Sequence, residues 1–273
     1  INIMSNPIKR KEYMRWMNKI GVKGIKVDFF GGDKQVTMAH YEAILSDADD
    51  NGLMVIFHGC TLPRGWERMY PNYVGSEAVL ASENMVFGQR ACDMAAFNAT
   101  LHPFIRNTVG CMEFGGTFLN RRLSKGNTSG TIRKTTDCAE LATAVLFQNP
   151  IQNFALAPEN LNPVEENGAP IVSLDFMREV PTTWDETQYI AGYPGKYVVL
   201  ARRCGDKWYI AGINAEKEIE LTLNIPMLQK GDVVELYSDD KKSREPMKSD
   251  LKIKKDGEFK VTLQSDGGFI IVK

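Results

Sequence analysis

The sequence has no long apolar run, no paired cysteine motif and no excess of charge of either sign. Its apolar stretches, such as residues 269–272, fall far short of the ~20 residues that a membrane-spanning helix needs. Lys and Arg total 33 and Asp and Glu 34, which excludes a strongly basic nucleic-acid binder and an acidic tail protein. The 5 cysteines form no CxxC pair, which argues against a zinc knuckle and a disulfide scaffold.

What is present is enough apolar sequence for a substantial core. The chain has 273 residues, 43% of them hydrophobic, which suffices for one large core or two modest ones. Residues 1–20 include the charged run 9–12, so they are not a signal-peptide core, and Tyr13 and Met17 lie at helical spacing. A helix without a strand before it is typical of the middle of an α/β unit. We therefore expect the chain to be a piece of a longer protein.

The first 180 residues alternate short apolar segments with helical ones. This alternation of strand, loop and helix predicts a parallel sheet covered by helices. The predicted strands are residues 25–30, 53–58 and a short one near 73–75, and the predicted helices are 36–45, 86–97 and 137–148.

From about residue 184 the pattern changes to a period of two with frequent turns. Residues 197–203 and 208–213 predict a hairpin, and further strands are predicted over 218–223, 258–263 and 267–272. The sequence therefore predicts two domains, an α/β domain over 1–180 and a small all-β sandwich over 181–273.

Three places at predicted strand ends could carry chemistry, because active residues of parallel α/β folds lie at the carboxyl ends of strands. Asp28 ends the first strand, where it is either a reactive carboxylate or a helix cap, and Lys26 on the same strand face could keep it ionised. His58 ends the next strand, as a structural histidine or a functional one. Cys60 is a weaker candidate, because no paired His and Asn pattern supports a cysteine nucleophile.

The third place is the segment from Trp66 to Glu83, where aromatics, an Arg, Asn72 and carboxylates lie close together. This composition is typical of a carbohydrate site, and Glu77 and Glu83 are either site carboxylates or solvated surface groups. Glycosidases use two carboxyl groups, one as acid and one as nucleophile or base. Pairing Asp28 with one of these glutamates therefore gives a glycosidase hypothesis.

At these residues the sequence resembles glycoside hydrolase family 97. The resemblance runs in order along the whole chain. It is carried by residues 25–30 (IKVDFF), 58–65 (HGCTLPRG), 68–72 (RMYPN) with Glu77 and Glu83, 103–110 (PFIRNTVG) and 180–187 (VPTTWDET).

The resemblance implies an exo-acting α-glycosidase with an N-terminal β-sandwich, a (β/α)8 barrel and a C-terminal β domain. This chain then covers about the last five β/α units of the barrel, followed by the all-β sandwich domain. The N-terminal sandwich and the first barrel strands are absent, so we expect self-association to cover the open sheet edge. The resemblance also implies a bacterial protein that is periplasmic or secreted.

The resemblance further implies the retaining branch of the family. Asp28 matches the position of the nucleophile and Glu83 that of the general acid/base. The inverting branch carries a Glu base directly after a His, and here Gly59 follows His58. The expected activity is that of an α-galactosidase, which acts by double displacement through a glycosyl-aspartate intermediate on α-linked galactosides or oligosaccharides.

Glu77 and Glu83 match calcium ligands of the family, although another ligand comes from the absent part, so we expect calcium to be weak or lost here. Lys26, His58 and Asn72 are candidates for binding sugar hydroxyls or for orienting Asp28, and equally for core or capping roles. Three alternatives stay open. They are an α-glucosidase or β-L-arabinopyranosidase of the same family, a catalytically incomplete carbohydrate-binding piece, and a cysteine hydrolase built on Cys60.

Overall fold

The computed structural model describes residues 1–164 and 168–273. Two compact units make up the chain. The first unit comprises Ile1–Leu80, Val109–Phe114 and Asn149–Ile151, and the second comprises Ala81–Thr108, Gly115–Gln148 and Gln152–Lys273. The division predicted between residues 180 and 181 falls inside the second unit and stays a prediction about domains. Within the described ranges, no helix is both long and apolar enough to cross a membrane.

The first unit is built on a short parallel sheet. Its strands are β1 (Gly24–Val27), β2 (Met54–Phe57) and β3 (Tyr73–Ser76), in the order β1-β2-β3, with helices α1 (Pro7–Lys19) and α2 (Gln35–Asp49). All pairings are parallel, and a parallel bridge from Ser76 to Met112 continues the sheet by one position. This confirms the predicted strand, loop and helix repeat. β1 is shorter than predicted because the backbone leaves the extended region at Phe29, whose φ is 65°.

An aromatic cluster packs beneath the sheet of the first unit. Phe30 and Tyr41 are stacked with centroids 4.0 Å apart, and Tyr41 also stacks on Trp66 at 4.8 Å. Phe57 meets all three rings edge-on. Burial raises the pKa of Tyr41 to about 12, and its hydroxyl oxygen accepts from the backbone N–H of Thr61. The cluster therefore anchors the segments that follow β1 and β2.

A buried ion pair joins the two helices of the first unit. The guanidinium of Arg10 in α1 lies 2.6 Å from the carboxylate of Asp47 in α2, and both side chains are buried. Lys11 contributes a second contact to Asp47 at 3.4 Å from the exposed side. A buried pair of this kind fixes the two helices relative to each other, because burying either charge without its partner would cost free energy.

The second unit contains two antiparallel sheets. The strands are β4 (Glu186–Tyr193), β5 (Tyr197–Cys204), β6 (Lys207–Asn214), β7 (Ile219–Asn224), β8 (Val233–Asp239), β9 (Pro246–Lys252), β10 (Glu258–Leu263) and β11 (Gly268–Val272). Six of them form a sheet in the order β4-β5-β6-β11-β8-β9, and β10 pairs with β7. Buried side chains such as Ile210, Phe259 and Phe269 share one core. This confirms the predicted all-β sandwich and its hairpin β5–β6.

Helix α6 (Asp137–Leu146) is buried along its whole length in the second unit. Its N-cap Thr136 accepts a hydrogen bond from the backbone N–H of Ala139. β11 approaches this helix so closely that a Cβ at Gly268 would lie 2.6 Å from the backbone of Ala139, so only glycine fits there. The helix predicted over 137–148 is thus confirmed, and its burial reflects contact with the sheet.

The helix predicted over 86–97 is wrong as a single element. The structure has three short helices, α3 (Asn84–Phe87), α4 (Gln89–Asp93) and α5 (Ala95–Leu101). Gly88 separates α3 from α4 and has an extended backbone, with φ −172° and ψ 145°. Met94 separates α4 from α5. The remaining helix is α7 (Ile171–Glu179), and single 3-10 turns occur at Trp66–Arg68, Lys125–Asn127 and Pro158–Leu161.

Candidate active site

Ionisable side chains meet where the parallel strands of the first unit end. Lys26 is in β1, His58 directly follows β2, Glu77 directly follows β3, and Glu113 directly follows the bridge at Met112. Because neighbouring parallel strands share one carboxyl edge, these four side chains are brought together there. The structure thus brings three of the sequence candidates, Lys26, His58 and Glu77, together with a fourth group, Glu113.

Glu113 is the centre of the cluster. One carboxylate oxygen lies 2.9 Å from the ammonium of Lys26, and the other lies 2.7 Å from Nδ1 of His58. A carboxylate only accepts hydrogen bonds, so the imidazole carries a proton on Nδ1. Glu113 is 4% exposed, whereas the Lys26 side chain is 41% exposed. The buried carboxylate therefore holds the ammonium of a lysine whose side chain is partly exposed.

Glu77 continues the cluster on the other side of His58. Nε2 of His58 lies 3.4 Å from one oxygen of Glu77, and the second oxygen accepts from the backbone N–H of Gly59 at 2.9 Å. Both ring nitrogens of His58 thus face carboxylates. A chain of contacts runs from Lys26 through Glu113 and His58 to Glu77 and ends at the backbone of Gly59.

Asp28 lies half-buried beside Gly59. Its carboxylate accepts from the backbone N–H of Phe29, and a Cβ at residue 59 would lie only 2.5 Å from its Oδ1. Gly59 also has φ +51°, a conformation that favours glycine. A side chain at position 59 would therefore displace the carboxylate of Asp28 from the place it takes in this backbone. The structure places Asp28 at the end of the cluster, next to the residue that Glu77 holds.

Asn72, a candidate both for the site and for a core role, makes contacts of the core kind. Its side-chain amide donates to the backbone carbonyls of Leu45 and Leu53, and it is buried. It ties the end of α2 to the start of β2. The aromatic composition around it has the same explanation, because Trp66 and Tyr73 are buried in the core cluster and offer no open ring face.

Two further sequence candidates are Glu83 and Cys60. Glu83 belongs to the second unit, where it is exposed and directly precedes α3, so its pairing with Asp28 stays a prediction. Cys60 follows Gly59 in the first unit, and burial raises the pKa of its thiol above the usual value. A raised pKa reduces the thiolate that a nucleophile needs, so Cys60 is a poor nucleophile. All 5 cysteines are free thiols.

Glu113 is the site residue that sequence reasoning missed. It follows a single bridge position rather than a full strand, so no run of alternating or continuous apolar residues marks its place. The one available signal is the glutamate itself after Cys111–Met112 in a segment rich in glycine, which is weak on its own.

Comparison with known proteins places this geometry in a family. The model described as "Glycoside hydrolase 97" matches residues 4–79, and the model described as "Glycosyl-hydrolase 97 C-terminal, oligomerisation" matches residues 183–272. The chain belongs to glycoside hydrolase family 97. The first match covers Lys26, Asp28, His58 and Glu77, and the second covers the sandwich strands. The partial barrel followed by an all-β domain is therefore the family's architecture.

Several relatives of this family 97 chain carry names. It is 33% identical over 263 residues to "Retaining alpha-galactosidase" from Bacteroides thetaiotaomicron, and 34% identical over 205 residues to "Probable retaining alpha-galactosidase" from Streptomyces bingchenggensis. These alignments cover 93% and 75% of this chain, respectively, but only 38% and 29% of the relatives. A solved structure titled "Crystal structure of beta-arabinopyranosidase" is 63% identical with a TM-score of 0.94, and the match covers 100% of this chain and 42% of that one. The family 97 chain thus spans less than half of each.

Proposed function

We propose that this chain carries the nucleophile of a retaining exo-glycosidase that acts on glycosides of galacto configuration. Asp28 is the nucleophile, and Glu83 is the general acid/base. The observation that carries the proposal is the packing of Asp28 against Gly59, where a Cβ would lie 2.5 Å from Oδ1. In the inverting branch, a glutamate base takes the position of Gly59. In this backbone a glutamate at position 59 would displace the carboxylate of Asp28, which supports the retaining assignment.

The reaction has two displacements. In the first, an oxygen of Asp28 bonds to the anomeric carbon, the bond to the leaving oxygen breaks, and that oxygen takes a proton from Glu83. In the second, water bonds to the anomeric carbon, the ester to Asp28 breaks, and the proton of water passes to Glu83. Two inversions restore the starting anomer. The carboxylate of Asp28 accepts the N–H of Phe29, which fixes its orientation before attack.

Lys26 contributes to substrate binding in this proposal. Its ammonium is partly open and is held by Glu113, so it can donate to a sugar hydroxyl without losing its orientation. His58 serves differently from the direct contact first considered, because both of its ring nitrogens face glutamates. It orients the cluster next to Asp28 rather than presenting an open nitrogen.

The sugar we propose first is a β-L-arabinopyranoside, with an α-D-galactoside as the second candidate. A β-L-arabinopyranoside has the ring stereochemistry of an α-D-galactopyranoside and lacks only the exocyclic hydroxymethyl group. One pocket can therefore take either ring, and the choice depends on how much space faces that group. The relative that is 63% identical is titled an arabinopyranosidase, whereas the galactosidases are 33% and 34% identical, which favours the pentoside.

The test is hydrolysis of three p-nitrophenyl glycosides by the intact protein that contains this chain. We expect kcat/KM for the β-L-arabinopyranoside to exceed that for the α-D-galactopyranoside by about tenfold or more, since one substituent in a pocket changes rates by 10–200-fold. A faster α-D-galactopyranoside would favour the second candidate. A faster α-D-glucopyranoside would contradict the galacto assignment, and binding without turnover would contradict the enzymatic proposal.

Calcium is part of the proposal, with Glu77 and Glu83 as its ligands. Glu77 fits in chemical kind, because it is a buried carboxylate and calcium takes oxygen ligands. A bound calcium ion would supply a fixed positive charge beside the reacting sugar. Dialysis against a chelator should lower activity, and added calcium should restore it. Unchanged activity after chelation, together with no bound calcium by metal analysis, would contradict the proposed role of calcium.

Self-association and export to the periplasm or outside the cell also stay proposals. The match of residues 183–272 to a model whose description includes oligomerisation supports the first. Solution scattering of the intact protein should give a mass above that of one chain. A monodisperse monomer would contradict it.

A further inference from the structure

We propose that Glu113 is a positioning residue for this reaction, acting through Lys26 on one side and through His58 on the other. The inference rests on the proposed function, because it assigns a role relative to Asp28 and the sugar. No other acidic side chain in the described part of the first unit has one oxygen on Lys26 and the other on His58.

The burial pattern shows why Glu113 acts through other groups. Its side chain is 5% exposed and both of its oxygens are engaged, so it has no surface for a sugar. The Lys26 side chain is 41% exposed and projects from the buried carboxylate. An ammonium on a four-carbon stem has many rotamers, and an anchored one loses less freedom when it binds a hydroxyl. Glu113 thus sets where Lys26 points.

The contact of Glu113 with His58 connects it to the proposed nucleophile. Its other oxygen fixes the imidazole of His58, whose far nitrogen lies 3.4 Å from Glu77. Glu77 in turn accepts the N–H of Gly59, the residue packed against Asp28. A rotation of the imidazole would shift Glu77 and then the backbone that Asp28 leans on. Glu113 therefore ties substrate binding at Lys26 to the placement of the nucleophile.

Replacing Glu113 with an uncharged residue of the same shape should disturb its contacts with both Lys26 and His58. In Glu113→Gln, the amide has one acceptor and one donor group, whereas Lys26 and Nδ1 of His58 both offer donors. While Nδ1 keeps its proton, one of the two contacts becomes a meeting of donors, which is relieved only if the imidazole moves that proton to Nε2. In either case, the negative charge that holds Lys26 is lost. We expect kcat/KM to fall about 100-fold, because small displacements of positioned groups cost about that much.

A matched control removes a different buried carboxylate of the first unit. Asp47→Asn also deletes a negative charge that is paired with a buried cation, but on the helices rather than at the strand ends. We expect it to lower the unfolding temperature and to leave kcat/KM within threefold of wild type. If Glu113→Gln behaves as Asp47→Asn does, Glu113 is structural only and the inference is wrong.

A double-mutant cycle gives a readout that a structural role would not produce. If Glu113 acts in part by aiming Lys26, then Lys26→Met and Glu113→Gln should combine to clearly less than the product of their separate losses in kcat/KM. Independent, multiplied losses would overturn the coupling. Should Glu113→Gln not fold, Glu113→Asp keeps the charge but cannot span both partners, and the same cycle with Lys26→Met decides.

The order of measurements separates this inference from the proposed function. Wild-type turnover of the aryl β-L-arabinopyranoside and α-D-galactopyranoside is measured first. If neither is hydrolysed, the proposed function fails, and Kd values for L-arabinose and D-galactose then test Glu113. Weaker sugar binding by Glu113→Gln than by Asp47→Asn would support its effect on Lys26, and equal binding by the two variants would contradict it.

Discussion

Glu140 in the second unit and Glu113 in the first are both buried glutamates, 3% and 4% exposed, but they hold different partners. Glu140 lies in α6, and its oxygens accept the hydroxyl of Thr135 and the backbone N–H of Phe118. Glu113 lies at a strand end and holds two side chains, Lys26 and His58. A buried carboxylate that accepts hydrogen bonds from fixed neutral donors stabilises the fold. A buried carboxylate that holds orientable side chains can also position them for a functional site.

The comparison also separates the effects of protonation. Burial raises the pKa of Glu140 above its ordinary value of 4.5, so the folded state holds this proton more tightly than the unfolded state does. A glutamine at position 140 resembles the protonated acid and can still accept from Phe118 and donate to Thr135. The same substitution at position 113 removes the charge that holds Lys26, and it leaves Nδ1 of His58 either facing a donor or giving up its proton to Nε2. One change should therefore be mild in the second unit and severe in the first.

The largest expected effect is at Asp28, the proposed nucleophile. Asp28→Asn should lower turnover of an aryl glycoside by about 10⁴-fold, since removal of a nucleophile commonly costs that much or more. Asp28 is half-buried and its carboxylate accepts the backbone N–H of Phe29, so we expect the unfolding temperature to stay within a few degrees of wild type. The measurements are initial rates and thermal unfolding. Near-wild-type turnover would show that another residue attacks the sugar.

The next effect tests the close packing of Asp28. Gly59→Ala forces a Cβ to within 2.5 Å of Oδ1, so we expect about a 100-fold loss of kcat/KM. Gly65→Ala is the control, because Gly65 also has positive φ, +86°, but no atom within 4 Å of the added Cβ. Both variants carry backbone strain and only one displaces Asp28. Equal kinetic losses would mean that strain alone is responsible.

A stability effect should dominate in the second unit. Glu140→Ala leaves the hydroxyl of Thr135 and the N–H of Phe118 without their acceptor, at a cost of about 2–4 kcal/mol in free energy of unfolding. Denaturant unfolding checks the cost. Activity per folded molecule should stay within about threefold of wild type. A large loss of kcat/KM at full folding would assign Glu140 to the site and remove the contrast with Glu113.

A smaller effect concerns pH. The raised pKa of Glu140 means that the folded state binds more protons than the unfolded state from the ordinary value of 4.5 up to its folded value. This group's contribution to stability therefore falls as pH rises through that interval and is constant above it. Unfolding of Glu140→Gln across the same range should show a smaller fall than wild type. An identical pH profile would mean that other groups dominate.

The smallest expected effect is at Cys60. Burial raises the pKa of its thiol, so little thiolate is present near neutral pH. Iodoacetamide at pH 7.5 should leave turnover unchanged, and Cys60→Ser should stay within about threefold of wild type. Rapid, complete inactivation protected by substrate would revive the cysteine hydrolase.

Much of the first unit's site could be predicted because it follows local rules. Lys26, Asp28, His58 and Glu77 stand in or directly after short apolar strands, and the carboxyl edge of a parallel sheet is where such residues meet. Glu113 could not be predicted, since its strand is reduced to one bridge at Met112.

Other misses have equally physical causes. The role of Asn72 depends on the carbonyls of Leu45 and Leu53, distant in sequence, and no side-chain pattern reports on backbone carbonyls. The apolar residues over 86–97 continue at helical spacing across Gly88, which is why the sequence predicts a single helix. The backbone at Gly88 is extended, and the spacing of side chains gives no sign of this. Burial of Trp66 and Tyr73 likewise depends on packing with Tyr41 and Phe57, which composition does not encode.

The central claim is that Asp28 attacks the sugar and that configuration is retained. It is tested most directly by proton NMR of the sugar released from p-nitrophenyl β-L-arabinopyranoside, or from the α-D-galactopyranoside if that is the faster substrate. Spectra are recorded in the first minutes, before mutarotation. Our account predicts that the anomer of the substrate appears first, as β-L-arabinopyranose or α-D-galactopyranose. First appearance of the opposite anomer would show a single displacement and would contradict the role of Asp28.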